Sequence, residues 1–444
     1  MLIAAFLALL AFTPQGNNVT LRANVDSYAE YNEVWGYTAP DGREYAIIGT
    51  SAGTAFYNCT NPSAPYLTGF IAGPNSIWRE MKCWDAYCYI VTEGGGGMQI
   101  VSLVNPEAPA LHSTWGANYW SHAHTISVDQ DAGLLYVNGT DAGVRVVNVA
   151  NPTSPTLVAT YTAYYAHDCH PQHGLAHMAE IYDGRYRILD VDSLPAMPSL
   201  DSIVTQGQFT HNVWANAIDT IACTTDENQG GKLGIYDITD PANILLRSNY
   251  TINSNSTVHN VHLRGNRAHC SWYTQGYVCV DISDPSAPAL VGSYDTNALT
   301  GTGYEGAWGC YPFAPSGIVY ISDRSNGLYV LEVDDLGTDS VLLAGPTQAS
   351  PGSSVTLSLH GGFGGVNWFL YRSRNVNGTL INGQPFDIGT PYVLLGTGLT
   401  DLHGDATWTS GLIPPRASGH TLQIEGRVDG AQTLDSNLLT ITFL

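Results

Sequence analysis

Four histidines stand at the head of four successive stretches of strand-like sequence: His124, His167, His211 and His259, spaced 43, 44 and 48 residues apart. Neutral imidazole is a common ligand for divalent metals, and a carboxylate or amide beside it can hold the ring in the orientation a metal needs. Such neighbours are present, since Asp168, Asn212 and Asn260 each follow one of these histidines. At the equivalent places of two earlier stretches stand Asn32-Glu33 and Arg79-Glu80. An arginine there would neutralise a carboxylate or sulfate of an anionic ligand, with Glu80 or His211 as general base. The expected ligand-binding set is therefore Asn32, Arg79, Glu80, His124, His167, Asp168, His211 and His259. The four histidines are the candidate ligands of a divalent metal, and Arg79, Glu80 and His211 the candidates for catalysis.

A second use of the same residues stays open. A histidine entering a strand can hydrogen-bond the backbone of the neighbouring repeat, and it recurs because every repeat meets the same packing problem. A further cluster, His167, His170, His173 and His177, adds weight to metal binding, yet Pro171 and Gly174 forbid a helical face carrying these rings. No nucleophile elbow, phosphate loop or dinucleotide fingerprint is present; Glu93-Gly-Gly-Gly-Gly97 follows a strand-like stretch but opens no helix, so it reads as a turn.

Stepping outward from the histidines, the phrase that carries them occurs seven times. It begins at Asn32, Arg79, His124, His167, His211, His259 and Gly306, at intervals of 47, 45, 43, 44, 48 and 47 residues. A second phrase closes each unit: Val146-Val-Asn-Val-Ala-Asn-Pro152, Ile235-Tyr-Asp-Ile-Thr-Asp-Pro241 and Val278-Cys-Val-Asp-Ile-Ser-Asp-Pro285, with shorter forms at Asn58–Pro65 and Val101–Pro109. Each is an alternating strand ended by an Asn/Asp-Pro turn. Repeats of about 45 residues reading as four strands have the size of β-propeller blades. The seventh unit lacks its outermost strand, and Asn18–Asp26 is the spare strand that would complete it and close the ring. The expected fold is all-β, a seven-bladed β-propeller over residues 17–335, a linker over 336–352 and a small β-sandwich over 353–444.

In such a blade the first strand lines the channel, and turns alternate between the two faces because the strands are antiparallel. The opening phrases should thus gather at one channel mouth with the turns between second and third strands, which carry Glu93, Asp141, Asp183, Asp226, Glu227 and Asp323. Trp35, Trp78, Trp120, Trp214, Trp272 and Trp308 would pack between blades or stack sugars at that mouth. In the C-terminal part the turn Asp401–Asp405 reads as a hairpin that could cradle a cation.

Composition narrows the partners. The net charge is −22, from 16 basic and 38 acidic residues, so there is no basic track for nucleic-acid phosphates. Met1–Phe12 is an apolar run of signal-peptide length and too short to span a bilayer, and no other stretch would serve as a membrane helix. Residues 1–16 are therefore expected to be a signal segment and the product to be a secreted or cell-surface monomer. Its partner would be an extracellular ligand, with polysaccharide the candidate class. Eight cysteines suit an oxidising compartment, and Cys83–Cys88 and Cys270–Cys279 each flank a turn as candidate cross-strand disulfides.

Taken together, Tyr31-Asn-Glu-Val-Trp-Gly36, Glu44-Tyr-Ala-Ile-Ile-Gly49, Ser76-Ile-Trp-Arg-Glu80, Tyr165-Ala-His-Asp168 and Gly306-Ala-Trp-Gly-Cys-Tyr-Pro312 resemble the LVIVD-repeat proteins. Within these the closest resemblance is to the choice-of-anchor B family, over roughly Asn18 to Glu332. The chain departs at Phe209-Thr-His-Asn-Val-Trp214, where the family tends to carry Tyr-Thr-His-Gln-Gly-Trp. The resemblance implies an exported β-propeller and carries no catalytic mechanism with it. An extracellular polysaccharide lyase or metal-dependent hydrolase acting at the channel mouth is the rival function.

Overall fold

A computed structural model describes residues 16–130, 132–217, 219–336, 342–360, 367–381, 384–400, 406–429, 433–436 and 439–444. The expected signal segment and the Asp401–Asp405 turn lie outside the described residues, the former but for Gly16.

The repeated phrases become repeated sheets. Among the described residues, seven antiparallel sheets follow one another, each with its strands in chain order from inside to outside save for outer strands that the start of the chain adds to the last two. Their first strands are Tyr31–Thr38, Arg79–Trp84, Thr125–Asp129, Asp168–Gln172, Thr210–Ala215, Val261–Arg264 and Ala307–Tyr311. Each first strand lies against the first strand of the next sheet, and the last, Ala307–Tyr311, lies against Tyr31–Thr38, so the series closes into a ring. Apolar side chains fill the spaces between neighbouring sheets rather than one central core. Tyr89, Ile100, Ile126 and Leu135 join the second and third sheets; Tyr320, Val330, Ile47 and Phe56 join the seventh to the first. First strands are buried along nearly their whole length, whereas the outermost, such as Tyr66–Ala72, are largely exposed or half-buried. Strands buried on both faces read as near-continuous apolar runs, which is why the inner strands show little alternation.

The Asn/Asp-Pro phrase is a turn closed twice over. Asn61, Asn151, Asp240 and Asp284 each accept from the backbone N–H two residues on, and their main-chain carbonyls accept from the N–H three residues on. Proline at the second place presets φ for the first turn residue. The seventh sheet takes its fourth strand from the start of the chain: Val19–Val25 pairs with Gly327–Val333, from Val19 opposite Val333 to Val25 opposite Leu328. Just before it, Gly16 and Asn17 pair with Tyr294 and Ser293 on the sixth sheet. Asn18, at φ +53°, makes the step between the two sheets.

Beyond the ring, Leu342–Ala344, Thr356–His360 and Ala406–Thr409 form one sheet, while Asn367–Ser373 lies between Tyr392–Leu399 and Thr421–Asp429 in another. Leu343, Leu357 and Leu359 of the first sheet and Leu370, Ile424 and Val428 of the second share one apolar cluster.

The disulfide expectation is corrected. All eight cysteines are free, buried thiols. Cys270 stands opposite Val278 and Cys279 opposite His269, so the two thiols point to opposite faces of their sheet and cannot bridge. Cys83 does stand opposite Cys88, but the two sulfurs are not bonded.

Candidate functional site

The heads of the inner strands carry an unbroken arc of rings. Trp78 and His124 have centroids 6.3 Å apart, His124 and His167 4.2 Å, His167 and His211 4.1 Å, His211 and His259 4.4 Å, and His259 and Trp308 4.6 Å. The arc runs from the second sheet to the seventh. Local backbone explains how the side chains come round: the pairing register shifts at Asn32-Glu33, at His211 and at Trp308-Gly309. A bulge of this kind leaves a residue unpaired and re-aims its side chain.

Each of three rings latches the next sheet. Nδ1 of His167 is 2.9 Å from the main-chain oxygen of His211, Nδ1 of His211 is 3.2 Å from that of His259, and Nδ1 of His259 is 2.5 Å from that of Trp308. Asn32, at the same place in the first sheet, uses Nδ2 in the same way, donating to the carbonyl of Ile77 at 2.6 Å. A carbonyl oxygen only accepts, so Nδ1 of each of the three histidines carries a hydrogen. In a neutral imidazole that leaves Nε2 as a bare lone pair. Burial drives all three pKa values down, reinforced at His167 by His211 and at His259 by its neighbour rings, and opposed at His211 by Glu227. The rings are thus neutral at pH 7. The structural and the ligand-binding uses do not compete, because each employs a different nitrogen.

Glu227, on the turn after the second strand of the fifth sheet, faces two of those lone pairs. Its Oε2 is 3.6 Å from Nε2 of His211 and its Oε1 is 3.8 Å from Nε2 of His259. Tyr273 donates its hydroxyl to Oε1, fixing the carboxylate. His124 is engaged differently, with Nδ1 2.5 Å from Oε1 of Glu93.

Below the arc lies a second layer of charge. Asn260 donates to Oε2 of Glu33 at 2.8 Å, Asn212 donates to Oδ2 of Asp168 at 2.7 Å, and Lys82 donates to Glu80. The Lys82 ammonium also sits 4.3 Å from the centroid of Trp35. Burial pushes Glu33 up to about 7, against the pull of Lys82, and pushes Glu80 well above the carboxylate range. Burial would lower Lys82, yet Glu80, Glu33 and Asp168 together more than offset it and hold it raised. A Cβ at Gly309 would lie 1.9 Å from Oε1 of Glu33, so that position has room only for glycine. Three residues further along the strands, His170 and Trp214 have centroids 3.9 Å apart, Trp214 and His262 4.5 Å, and Trp35 and His262 5.7 Å, each pair tilted. These rings pack together as an aromatic layer beneath the charged one.

Several expected ligands are occupied elsewhere. Arg79 is 2% exposed; its Nε donates to the carbonyl of Thr50 at 3.1 Å and Nη2 to that of Pro74 at 2.5 Å. It therefore braces the first sheet against the second, and burial lowers its pKa to about 10. Asn32 and Asp168 are buried in hydrogen bonds, and Glu80 is buried against Lys82. The pairing of Arg79 with Glu80 that a catalytic role would need is thus absent from the mouth. Of the six tryptophans expected at the mouth or between blades, Trp35, Trp120, Trp272 and Trp308 are buried and Trp214 is in the aromatic layer, leaving Trp78 exposed at 38%. Two residues gain importance over the sequence expectation: Lys82, the cation of the buried cluster, and Glu227. The signal for Glu227 was its turn position on the histidine face.

The LVIVD repeat model matches residues 123–163 and 257–296, the third and sixth sheets. No curated protein matches in sequence. Among solved structures, U3-55K is similar with a TM-score of 0.51 at 9% identity, covering 71% of this chain and 98% of that one. The β-propeller domain of Cps50 (Swd1) from Myceliophteria thermophila is similar with a TM-score of 0.50 at 9% identity, covering 71% and 99%. At such identity the likeness concerns the fold alone: the repeated four-stranded sheets are those of a β-propeller. Among the described residues no helix is long and apolar enough to cross a membrane.

Proposed function

We propose that this chain is an exported, seven-bladed β-propeller of the choice-of-anchor B kind with a C-terminal β-sandwich, acting as an interaction module at its histidine-lined mouth. The observation that carries this reading is the arc from Trp78 to Trp308, six rings in a row at centroid spacings of 4.1–6.3 Å. With charged and aromatic layers packed beneath, a ligand would meet the protein at the arc rather than pass through it.

The charge around the arc supports a neutral carbohydrate in preference to an anionic one. Arg79 is withdrawn and Arg324, over Trp308, is paired with Glu305, while Glu93, Asp141 and Glu227 stand on that side. Trp78, Tyr182 and Tyr304 are exposed aromatic surfaces, and such rings offer an apolar face beside a polar tip. Of the three catalytic candidates, Arg79 and Glu80 are engaged in buried contacts, and His211 alone stands in the arc.

The test is a binding screen of the intact protein against neutral β-glucans and xylans and against alginate and pectate, with product release followed in parallel. Binding to a neutral polymer, weakened about tenfold or more by Trp78→Ala, is expected. Turnover of any polymer, or binding confined to the acidic ones, would overturn the reading.

A further inference from the structure

We infer that His211, His259 and Glu227 form a binding site for one divalent first-row transition-metal ion, bound through Nε2 of each histidine and the Glu227 carboxylate. The site shares the mouth with the carbohydrate reading above but not its ligand, and each can fail without the other.

The argument starts from hydrogen placement. The carbonyls of His259 and Trp308 take the Nδ1 hydrogens of His211 and His259. Both Nε2 atoms are then acceptors, and they face a third acceptor, the carboxylate of Glu227, at 3.6 and 3.8 Å. Those separations are too long for hydrogen bonds. Three acceptors turned on one another repel unless a cation lies between them.

The spacing suits a metal. The three ligand atoms all lie within 4.8 Å of one another. Metal–nitrogen bonds of about 2.0–2.1 Å in a tetrahedral site imply ligand atoms roughly 3.3–3.5 Å apart. The two histidine–carboxylate separations, each to a different oxygen of Glu227, exceed that spacing by a few tenths of an ångström. The surroundings are those of a prepared ligand set: each ring donates its other nitrogen to a carbonyl, and the carboxylate accepts from Tyr273. Two histidines and a carboxylate leave coordination positions for water or an external donor from the mouth. Among the described residues this is the one group of three or more such side chains with ligand atoms so close.

Asn32 supplies the decisive variant. It makes the same latch with an amide nitrogen and has no atom equivalent to Nε2. His211→Asn and His259→Asn should therefore keep the ring closed while deleting the metal ligands. The experiment is metal analysis of the full chain purified without tag or chelator, then titration with Zn2+ and with Co2+, whose absorption reports the ligand field. One equivalent per chain is expected, with affinity reduced at least 100-fold in the H211N/H259N double variant and at least tenfold in Glu227→Gln, thermal unfolding staying cooperative. His124→Asn should leave the stoichiometry at one. Should the double variant not fold, Glu227→Gln alone decides the matter, because Glu227 makes no latch between sheets through its carboxylate save the Tyr273 bond. Wild-type protein that takes up no Zn2+ or Co2+, or takes it up equally in Glu227→Gln, would overturn the site.

Discussion

Nδ1 of His211 lies 3.2 Å from the main-chain oxygen of His259, and this one bond both ties the fifth sheet to the sixth and decides which nitrogen of His211 faces Glu227. Removing the imidazole takes away one of the two hydrogen bonds that this buried carbonyl accepts, the other coming from Thr225 Oγ1 at 2.5 Å, together with the ring's packing in the arc, a loss of about 1–3 kcal/mol. His211→Ala and His259→Ala are each expected to lose stability of that order in urea unfolding. The asparagine variants should stay within about 1 kcal/mol of wild type, because an amide can reach the same carbonyl, as Asn32 does. Equal losses for alanine and asparagine would remove the latch from the account.

Acid sensitivity follows from the buried rings. Burial lowers His167, His211, His259 and His262, and takes His170 and His269 to about 3 and His177 to about 4. Their folded pKa values lie below the unfolded value of about 6.5, so the unfolded chain binds more protons as pH falls. The stability these histidines contribute is full above pH 6.5 and is lost progressively below it. Glu33 acts in the opposite sense, since a folded pKa raised to about 7 means its burial becomes costlier as pH rises from about 4.5 through 7. Seven histidines against the four raised carboxyls, Glu33, Glu44, Glu80 and Asp295, make the acid arm dominate. Calorimetry from pH 7 to pH 4.5 should show a steep fall in melting temperature with net proton uptake on unfolding. A flat profile would mean that these rings are protonated in the folded protein.

Lys82 donates to Glu80, and its charge draws Glu33 downward as well. Deleting one member of a buried charged group strands the others, typically at 3–5 kcal/mol. Lys82→Met should destabilise by that amount at pH 8, and by less at pH 5, where Glu33 and Glu80 take up protons. Adding Glu33→Gln should restore part of the loss. Chemical denaturation at the two pH values reads both effects, and a loss independent of pH would point to packing on Trp35 as the cause.

The repeat was legible because its turn chemistry is local: an Asn or Asp before proline makes its own hydrogen bonds to the next few residues, whatever the surroundings. The starts of the inner strands were legible for the same reason, and Thr125, Asp168 and Ala307 each open a strand one residue after the position read from the spacing. Side-chain direction was less so. Arg79 occupies the histidine position of its unit, yet its longer side chain reaches back to Thr50 and Pro74 instead of along the arc. Glu227 was visible as a turn residue, but its meeting with His211 and His259 depends on a bulge and on a neighbouring sheet, neither of which leaves a mark in the sequence. Cys270 and Cys279 flank a turn at a plausible separation, and only the register shows them on opposite faces.

The strand Val19–Val25 is held by seventh-sheet residues more than 300 positions away in the chain. Val19 packs with Leu331 and Val333 in the core between the sixth and seventh sheets, and Arg22 pairs with Glu332. Asn24 donates to the carbonyls of Asn326 and Leu328 at 2.8 and 3.2 Å, and Asp334 donates its N–H to the carbonyl of Asn18 at 3.1 Å. Without this strand the edge Gly327–Val333 would present unpaired backbone to solvent, which destabilises a sheet and invites association. A protein lacking residues 1–25 is therefore expected to melt at least 10 °C lower and to self-associate on heating. The missing strand should be replaceable from outside, because an added peptide can pair with an open edge through backbone hydrogen bonds alone. A synthetic Asn17–Asp26 peptide in excess should raise the melting temperature of the truncated protein, and a peptide with Ala23→Pro should not, since proline has no N–H to give the ladder. A truncated protein that melts with the full chain, or a rescue insensitive to the proline, would mean that the ring is closed by the packing of Ala307–Tyr311 on Tyr31–Thr38 and owes nothing to the first strand.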